Sequence, residues 1–272
     1  MECHVIIEYG YQFLLFYRAA VGKETMMLYD QREDAVGSVL QISMPRLPRM
    51  YAPGATMHVV ARCNNREFYF TGPEDFEILL DHLGGMSSDY KIRLFAYTLM
   101  SNHIHLLLQS PAEDVLGRPL RWFMTQTAKS FHRLRNRCGH FWERRYRACL
   151  VEDDLYALAA LRYMDRNPVR AGIVEDPSTY AWSSCGSYAT GVSNRLIQFH
   201  PSYLGLSPYA KVRQRHYLTI LAASSDPHLD NKDSRWTSQR AVGSREFLKR
   251  HHASGRRQGI IPLPEQIRKV RK

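Results

Sequence analysis

The chain has 272 residues, enough for one domain of ordinary size with extensions or for two small ones. Its hydrophobic fraction of 44% excludes wholesale disorder, and 37 Lys and Arg against 26 Asp and Glu leave a formal charge of +11, which favours a polyanionic partner. Five cysteines, at 3, 63, 138, 149 and 185, are odd in number and include no C-x-x-C pair. That argues against a disulfide framework or structural zinc and for reduced thiols in a cytoplasmic protein. No stretch has the length of an uninterrupted membrane helix. The most apolar early segment, Val5 to Val21, is broken by Glu8, Gln12 and Arg18 and has no basic leader before it.

Residues 1–43 mix aromatic and charged side chains with no steady period. Met44-Pro45-Arg46-Leu47-Pro48-Arg49 then opens a cleaner pattern. Two readings stand: translation begins at Met44, or residues 1–43 are an extension packed on the domain. Met57 to Arg62 is rich in β-branched residues and reads as a strand, and Asn64-Asn65 signals a turn. A helix is expected from Pro73-Glu74-Asp75, with Thr71 as a possible cap, an apolar face of Phe76, Leu79, Leu80 and Leu83, and an end at Gly84-Gly85. Lys91–Leu99 and His103–Gln109 read as two strands joined by Met100-Ser101-Asn102 into a hairpin. Arg118 to about Arg137 reads as a long basic helix. A further helix runs from Asp154 to Arg166, with Asp153 or Asp154 as cap and Pro168 forcing a stop.

This order predicts an α+β fold with helices packed on an antiparallel sheet. The expected division is an extension over 1–43, a main domain over 44–190 and a basic C-terminal region over 191–272. Residues 240–272 carry ten basic side chains against Glu246 and Glu265, and they read as a tail helical around Ser244 to His252.

Two segments carry chemistry. In the strand Ser101-Asn102-His103-Ile104-His105-Leu106-Leu107-Leu108, alternation points His103 and His105 to one face and Ile104, Leu106 and Leu108 to a core. Paired imidazoles on a rigid strand can share a divalent metal, although an isolated H-x-H is more often an ordinary pair of histidines. In Leu161-Arg162-Tyr163-Met164-Asp165-Arg166-Asn167-Pro168, Tyr163 and Asn167 are four residues apart and share a helical face that Tyr156 and Ala160 extend. Asn167 precedes proline, which puts it at the helix end. Read alone, this is better explained by a structural tyrosine and an asparagine C-terminal cap.

Taken together, the segments resemble a known family, the REP-associated tyrosine transposases, relatives of the IS200-like single-strand transposases with the His-hydrophobic-His fold. The resemblance runs from about Met44 to Ala189. Its marks are Tyr51-x-Pro53-Gly54, then His58-Val59-Val60-x-Arg62-x-Asn64-Asn65-Arg66, then Ser101 to Leu107. Gly139-His140-Phe141-Trp142-x-x-Arg145-Tyr146 follows, then Arg162-Tyr163 and Asn167-Pro168-Val169-Arg170-Ala171-Gly172, with Trp182-Ser183-Ser184 closing the match. Gly243-Ser244-Arg245-Glu246-Phe247 looks like a segment of longer relatives. Cys63 departs from the family's usual glycine.

The resemblance implies a ferredoxin-like antiparallel sheet with packed helices, His103, His105 and Asn167 as metal ligands, and Tyr163 as nucleophile. A His, His, Asn ligand set suits Mg²⁺ or Mn²⁺. The activity so implied is a metal-dependent single-strand DNA endonuclease and strand transferase that forms a 5′-phosphotyrosine, acting on single-stranded or hairpin DNA as a monomer or homodimer. A non-catalytic DNA-binding relative is the alternative, and a relaxase or replication initiator a more distant one.

Between Arg118 and Arg147 lie nine basic residues and one acid, Glu143, interleaved with Trp122, Phe123, Phe131, Phe141, Trp142 and Tyr146. Single-stranded DNA asks for cations and flat rings. Arg62, Arg118, Arg121, Lys129, Arg133, Arg144, Arg145, Arg147 and Arg170 are the residues expected to meet DNA, whereas Trp122, Phe123 and Phe131 read better as core.

Overall fold

The computed structural model describes residues 52, 54–109, 111, 116–222 and 235–251 with their side chains (Arg235 by its backbone alone), and four earlier strands by backbone. The Met44–Arg49 block, Cys3 and the basic residues at 256, 257, 268, 269, 271 and 272 lie outside the described side chains. The chain divides into two units, Met1–Pro48 and Arg49–Lys272. In the first, β1 (Val5–Glu8), β2 (Phe13–Ala20), β3 (Lys23–Asp30) and β4 (Ile42–Ser43) pair in sequence order as an antiparallel sheet.

The second unit begins with β5 (Thr56–Arg62), a 3-10 turn at Asn64–Arg66 and α1 (Pro73–Asp89). Next come β6 (Arg93–Met100) and β7 (His103–Gln109), then α2 (Gly117–Leu134), β8 (Arg147–Val151), α3 (Leu155–Asp165) and α4 (Asn167–Arg170). The chain continues through α5 (Cys185–Ala189), α6 (Pro201–Leu204), α7 (Ala210–Ala222), α8 (Arg235–Ser238), β9 (Ala241–Val242) and α9 (Arg245–Arg250). Its sheet has the order β6-β7-β5-β8-β9. The expected hairpin is present: Met100 lies opposite His103, so Ser101 and Asn102 alone make the turn.

Both faces of this sheet are covered, and strand alternation assigns each residue to one of them. Met57, Val59, Leu99, Ile104, Leu106, Leu108 and Leu150 point to one face and pack with Phe76, Leu79 and Leu83 of α1 and Leu120, Phe123 and Phe131 of α2. Ala96, Leu107, Cys149 and Val151 point to the other and pack with Leu158, Leu161 and Met164 of α3, Tyr188, Tyr203 and Tyr217. Arg162 on α3 and Arg166 at its C-cap fasten the helix to α7. Arg162 Nε donates to the Ile220 carbonyl at 2.9 Å and Arg166 Nη1 to that of Leu221 at 3.0 Å, satisfying carbonyls of the last helical turn. Tyr217 Oη adds a 2.5 Å hydrogen bond to Asp165, whose carboxyl burial pushes up to about 7.

Three expectations need correcting. The helix does not end at Gly84-Gly85 but continues to Asp89, because these glycines serve packing: a Cβ on Gly85 would lie 2.9 Å from the Trp122 ring of α2. Thr71 does not cap that helix with its side chain; instead its backbone N–H and that of Gly72 each donate to Asp75 Oδ2 at 3.0 Å. Pro168 does accompany the expected stop: α3 ends at Asp165, and the proline falls in the first turn of the separate α4, where its missing N–H costs nothing. The sheet is not wholly antiparallel either. β9, drawn from the basic C-terminal region, joins β8 in parallel, with Leu150 opposite Ala241 and Val151 opposite Val242. Ser244 secures this addition by donating from N and Oγ to the Glu152 carboxylate at 2.5 and 3.0 Å, and it caps α9 through Phe247 N.

Asp75 is fully buried, and Arg135 from the end of α2 grips it through Nε at 3.0 Å and Nη2 at 2.8 Å. Burial alone would raise its carboxyl; the Arg135 fork and the two backbone donors outweigh it and hold the group below the ordinary 3.8. Asp75→Asn should therefore cost about 1–3 kcal/mol in urea unfolding at neutral pH. Because the folded value is depressed, the carboxylate's stabilisation should be complete above about pH 4 and lost as the pH falls through the folded value.

Candidate active site

The second face of the sheet is polar where β7 meets β5. His103 and His105 project there, and across the ladder Arg62 lies opposite His103 and Val60 opposite His105. One strand further, Arg147 lies opposite Val60. His105 is 2% exposed, while His103 is partly open and its Nδ1 is 2.6 Å from Asn102 Oδ1. The two rings stand 5.0 Å apart at 77°.

Above them, α3 brings Tyr163. Its ring centroid is 5.8 Å from that of His105 and nearly perpendicular to it. The Arg170 guanidinium covers the Tyr163 ring at 4.6 Å and its Nη2 also donates to the Tyr163 carbonyl. Asn167, one turn on, donates from Nδ2 to the Tyr163 carbonyl at 3.0 Å and to that of Met164 at 3.2 Å. Its amide thus closes the helix as a cap, and the same bonds turn Oδ1, the atom able to ligate a cation, away from those carbonyls. Tyr163 is buried, yet its neighbours are imidazoles and a guanidinium as well as apolar side chains.

Two residues to which sequence reasoning gave no role complete the cluster. His58, on β5, lies parallel to His105 with ring centroids 5.2 Å apart, and its Nε2 is 2.9 Å from His105 Nδ1. Trp236, on α8, stacks on Tyr163 at 5.8 Å, and its carbonyl is 3.1 Å from His58 Nδ1. Burial lowers His58 to about 4 and takes His105 well below its usual range, where His103, His58, Arg170 and Arg62 add charge repulsion. Both rings are consequently neutral at pH 7, the state in which imidazole ligates metals. Among the described residues, no three His, Cys, Asp or Glu side chains form a metal-holding group, so a cation here would need the Asn167 oxygen beside the two histidines.

Seven of the nine basic residues expected to meet DNA fall into two sets. Arg62, Arg147 and Arg170 belong to the histidine face; Arg147 also donates to the Thr237 carbonyl at 3.0 Å. Arg121, Lys129, Arg144 and Arg145 border a groove of about 650 Å³ between α2 and the segment leading into β8, with Phe141 and Trp142 in its floor. Arg118 lies over the Tyr90 ring, and Arg133 is exposed on α2. The core reading of Phe123 and Phe131 holds, since both are buried, and Trp122 packs partly buried against the same core. Phe141 and Tyr146 are buried too, whereas Phe68, not singled out from sequence, is 70% exposed on the loop that Asn102 Nδ2 joins through the Arg66 carbonyl. No described helix is long and apolar enough to cross a membrane.

Since Trp236 is 3% exposed and covers Tyr163, Trp236→Ala should destabilise the protein by about 3–5 kcal/mol in chemical unfolding. It should also speed nitration of Tyr163 by tetranitromethane.

No curated protein matches the chain. Among solved structures it is similar to a REP-associated tyrosine transposase bound to a REP hairpin, with 18% identity and a TM-score of 0.48 over 58% of this chain and 93% of that one. It is also similar to a protein from Deinococcus radiodurans R1 described as a transposase, with 18% identity and a TM-score of 0.33 over 43% and 94%. Residues 52–167 match the family described as IS200-like transposase. That span takes in β5, the histidine strand and the tyrosine helix as far as Asn167.

Proposed function

We propose that this protein is a single-strand DNA endonuclease and strand transferase that uses Tyr163 as its nucleophile and acts on hairpin DNA of the REP kind. The observation that carries the reading is the approach of the Tyr163 ring to within 5.8 Å of His105, a residue 58 positions earlier in the chain. His103, His105 and Asn167 supply two imidazole nitrogens and an amide oxygen, a set that suits Mg²⁺ or Mn²⁺. A cation held by them supplies Lewis-acid polarisation of the scissile phosphate.

The chemistry of the chain's own groups follows. Tyr163 Oη attacks phosphorus, the P–O3′ bond breaks, and the departing 3′ oxygen takes a proton as the phenol gives one up. The 5′ side stays on the protein as a phosphotyrosine. Arg170, over the ring, stabilises negative charge that develops on the phenol and can follow it to the phosphate. A second 3′-hydroxyl reverses the step and rejoins strands without ATP. The Arg121, Lys129, Arg144 and Arg145 groove supplies cations for the phosphate backbone, and Phe68 offers an exposed ring for an unpaired base. The described cysteines, Cys63, Cys138, Cys149 and Cys185, are free, which suits a cytoplasmic setting.

A DNA-binding relative without cleavage draws support from one observation, the 6% exposure of Tyr163. Incubation with single-stranded hairpin oligonucleotides and Mn²⁺ or Mg²⁺ separates the two. The expected result is a cleaved strand and a protein–DNA adduct on denaturing gels, with Tyr163→Phe binding DNA but forming no adduct. An adduct that persists in Tyr163→Phe would overturn the assignment, and binding without cleavage by the unmodified chain would favour the alternative. Replacing Arg121, Lys129, Arg144 and Arg145 with Gln should reduce the slope of log affinity against log salt by about 0.7 for each phosphate no longer neutralised. An unchanged slope would remove the groove from the DNA path.

A further inference from the structure

The Trp236 carbonyl, His58 and His105 stand in line. His58 Nδ1 is 3.1 Å from the carbonyl oxygen of Trp236, and His58 Nε2 is 2.9 Å from His105 Nδ1. A carbonyl oxygen has no hydrogen to give, so His58 Nδ1 must be the donor. His58 and His105 are 1% and 2% exposed, and a buried charge without a counter-ion is costly, so each ring carries one proton. With its proton on Nδ1, His58 has only a lone pair at Nε2. The hydrogen between the rings therefore belongs to His105 Nδ1, and the lone pair of His105 is left on Nε2.

We infer that the backbone carbonyl of Trp236, acting through His58, fixes His105 as the Nδ1–H tautomer and so makes Nε2 its ligating atom. His58 is a positioning residue and touches neither substrate nor cation in this scheme. A metal-bound imidazole is commonly held this way by a hydrogen bond from its second nitrogen, which raises its basicity and locks the ring plane. Here the anchor is remote in sequence. Trp236 lies beyond residues 52–167, the span that matches the transposase family, and it reaches β5 because β9 docks parallel to β8. Arg147 Nη1 bonds the next carbonyl, Thr237 O, at 3.0 Å and helps hold α8 in place. The C-terminal segment is thus a working wall of the active centre. The purpose of the relay rests on the metal-dependent reading above, but the tautomer itself does not.

Long-range ¹H–¹⁵N correlation on the full-length chain, ¹⁵N-labelled in histidine and free of metal, reads the tautomer directly, with His58→Gln and His105→Gln used to assign the two rings. The expected spectrum shows protonated Nδ1 and unprotonated Nε2 for both His58 and His105. A wild-type His105 protonated on Nε2 overturns the inference, whether or not any variant folds. Mn²⁺ binding, followed by the electron paramagnetic resonance of free Mn²⁺, supplies the second readout. His58→Leu, which keeps bulk but cannot accept a hydrogen bond, should weaken binding roughly 10–100-fold. His58→Gln, whose amide oxygen can accept from His105 Nδ1, should bind close to wild type. Equal Mn²⁺ affinity in wild type and a folded His58→Leu variant also overturns the inference. The expected tautomer in a wild-type protein that binds no Mn²⁺ supports the relay and defeats the metal-dependent reading instead.

Discussion

A sheet covered on both faces cannot leave an imidazole unattended. His58 and His105 are buried beneath α3, so the ring nitrogens turned toward each other need a partner inside the protein. The 2.9 Å hydrogen bond between them answers that need and ties β5 to β7 through side chains as well as through the backbone ladder. Tyr163 closes over both rings edge to face, and Trp236 closes over Tyr163. Four aromatic side chains from two strands and two helices are held by one polar contact at their centre.

The two faces of the sheet divide the labour. On one, the aliphatic residues of β5, β6, β7 and β8 meet α1 and α2 in a dry core. On the other, apolar packing is confined to the far part of the strands, around Leu107, Cys149 and Val151, and gives way to histidine and arginine toward His103. That gradient explains how a nucleophile-bearing helix can be anchored firmly and still present a polar surface. Leu158, Leu161 and Met164 fix α3 to the sheet, Arg162 and Arg166 fix it to α7, and Tyr163 and Asn167 lie on the remaining arc. The break before Pro168 then turns Arg170 back over Tyr163.

The C-terminal segment is part of this construction. β9 extends the sheet by two residues, and Gly243 lets the chain pass: a Cβ there would fall 2.5 Å from Phe247 and 2.8 Å from Glu152. A short parallel strand with a glycine beyond it carries little signal of its own. Its stability comes from the β8 edge and the Glu152 carboxylate, which lie about ninety residues earlier.

Much of the core was legible from the chain alone. Alternation in His103–Gln109 assigned the histidines and leucines to opposite faces, the three residues after Leu99 implied a hairpin, and the spacing of Tyr163 and Asn167 put them on one arc of a helix. Those features are local, set by the two-residue and 3.6-residue periods of the backbone. Where local rules misled, a distant neighbour had overruled them: Gly84-Gly85 read as a helix end, yet Gly85 makes room for Trp122. His58 stood in a family mark without a role, and Trp236 was not singled out at all, because neither has meaning until the β5–β7 register and the docking of β9 bring them to His105. The sequence by itself determined which residues could do the chemistry. Only the tertiary structure decided which of them share a face, since strand register and helix docking are fixed by burial summed over the whole sheet and not by any one segment.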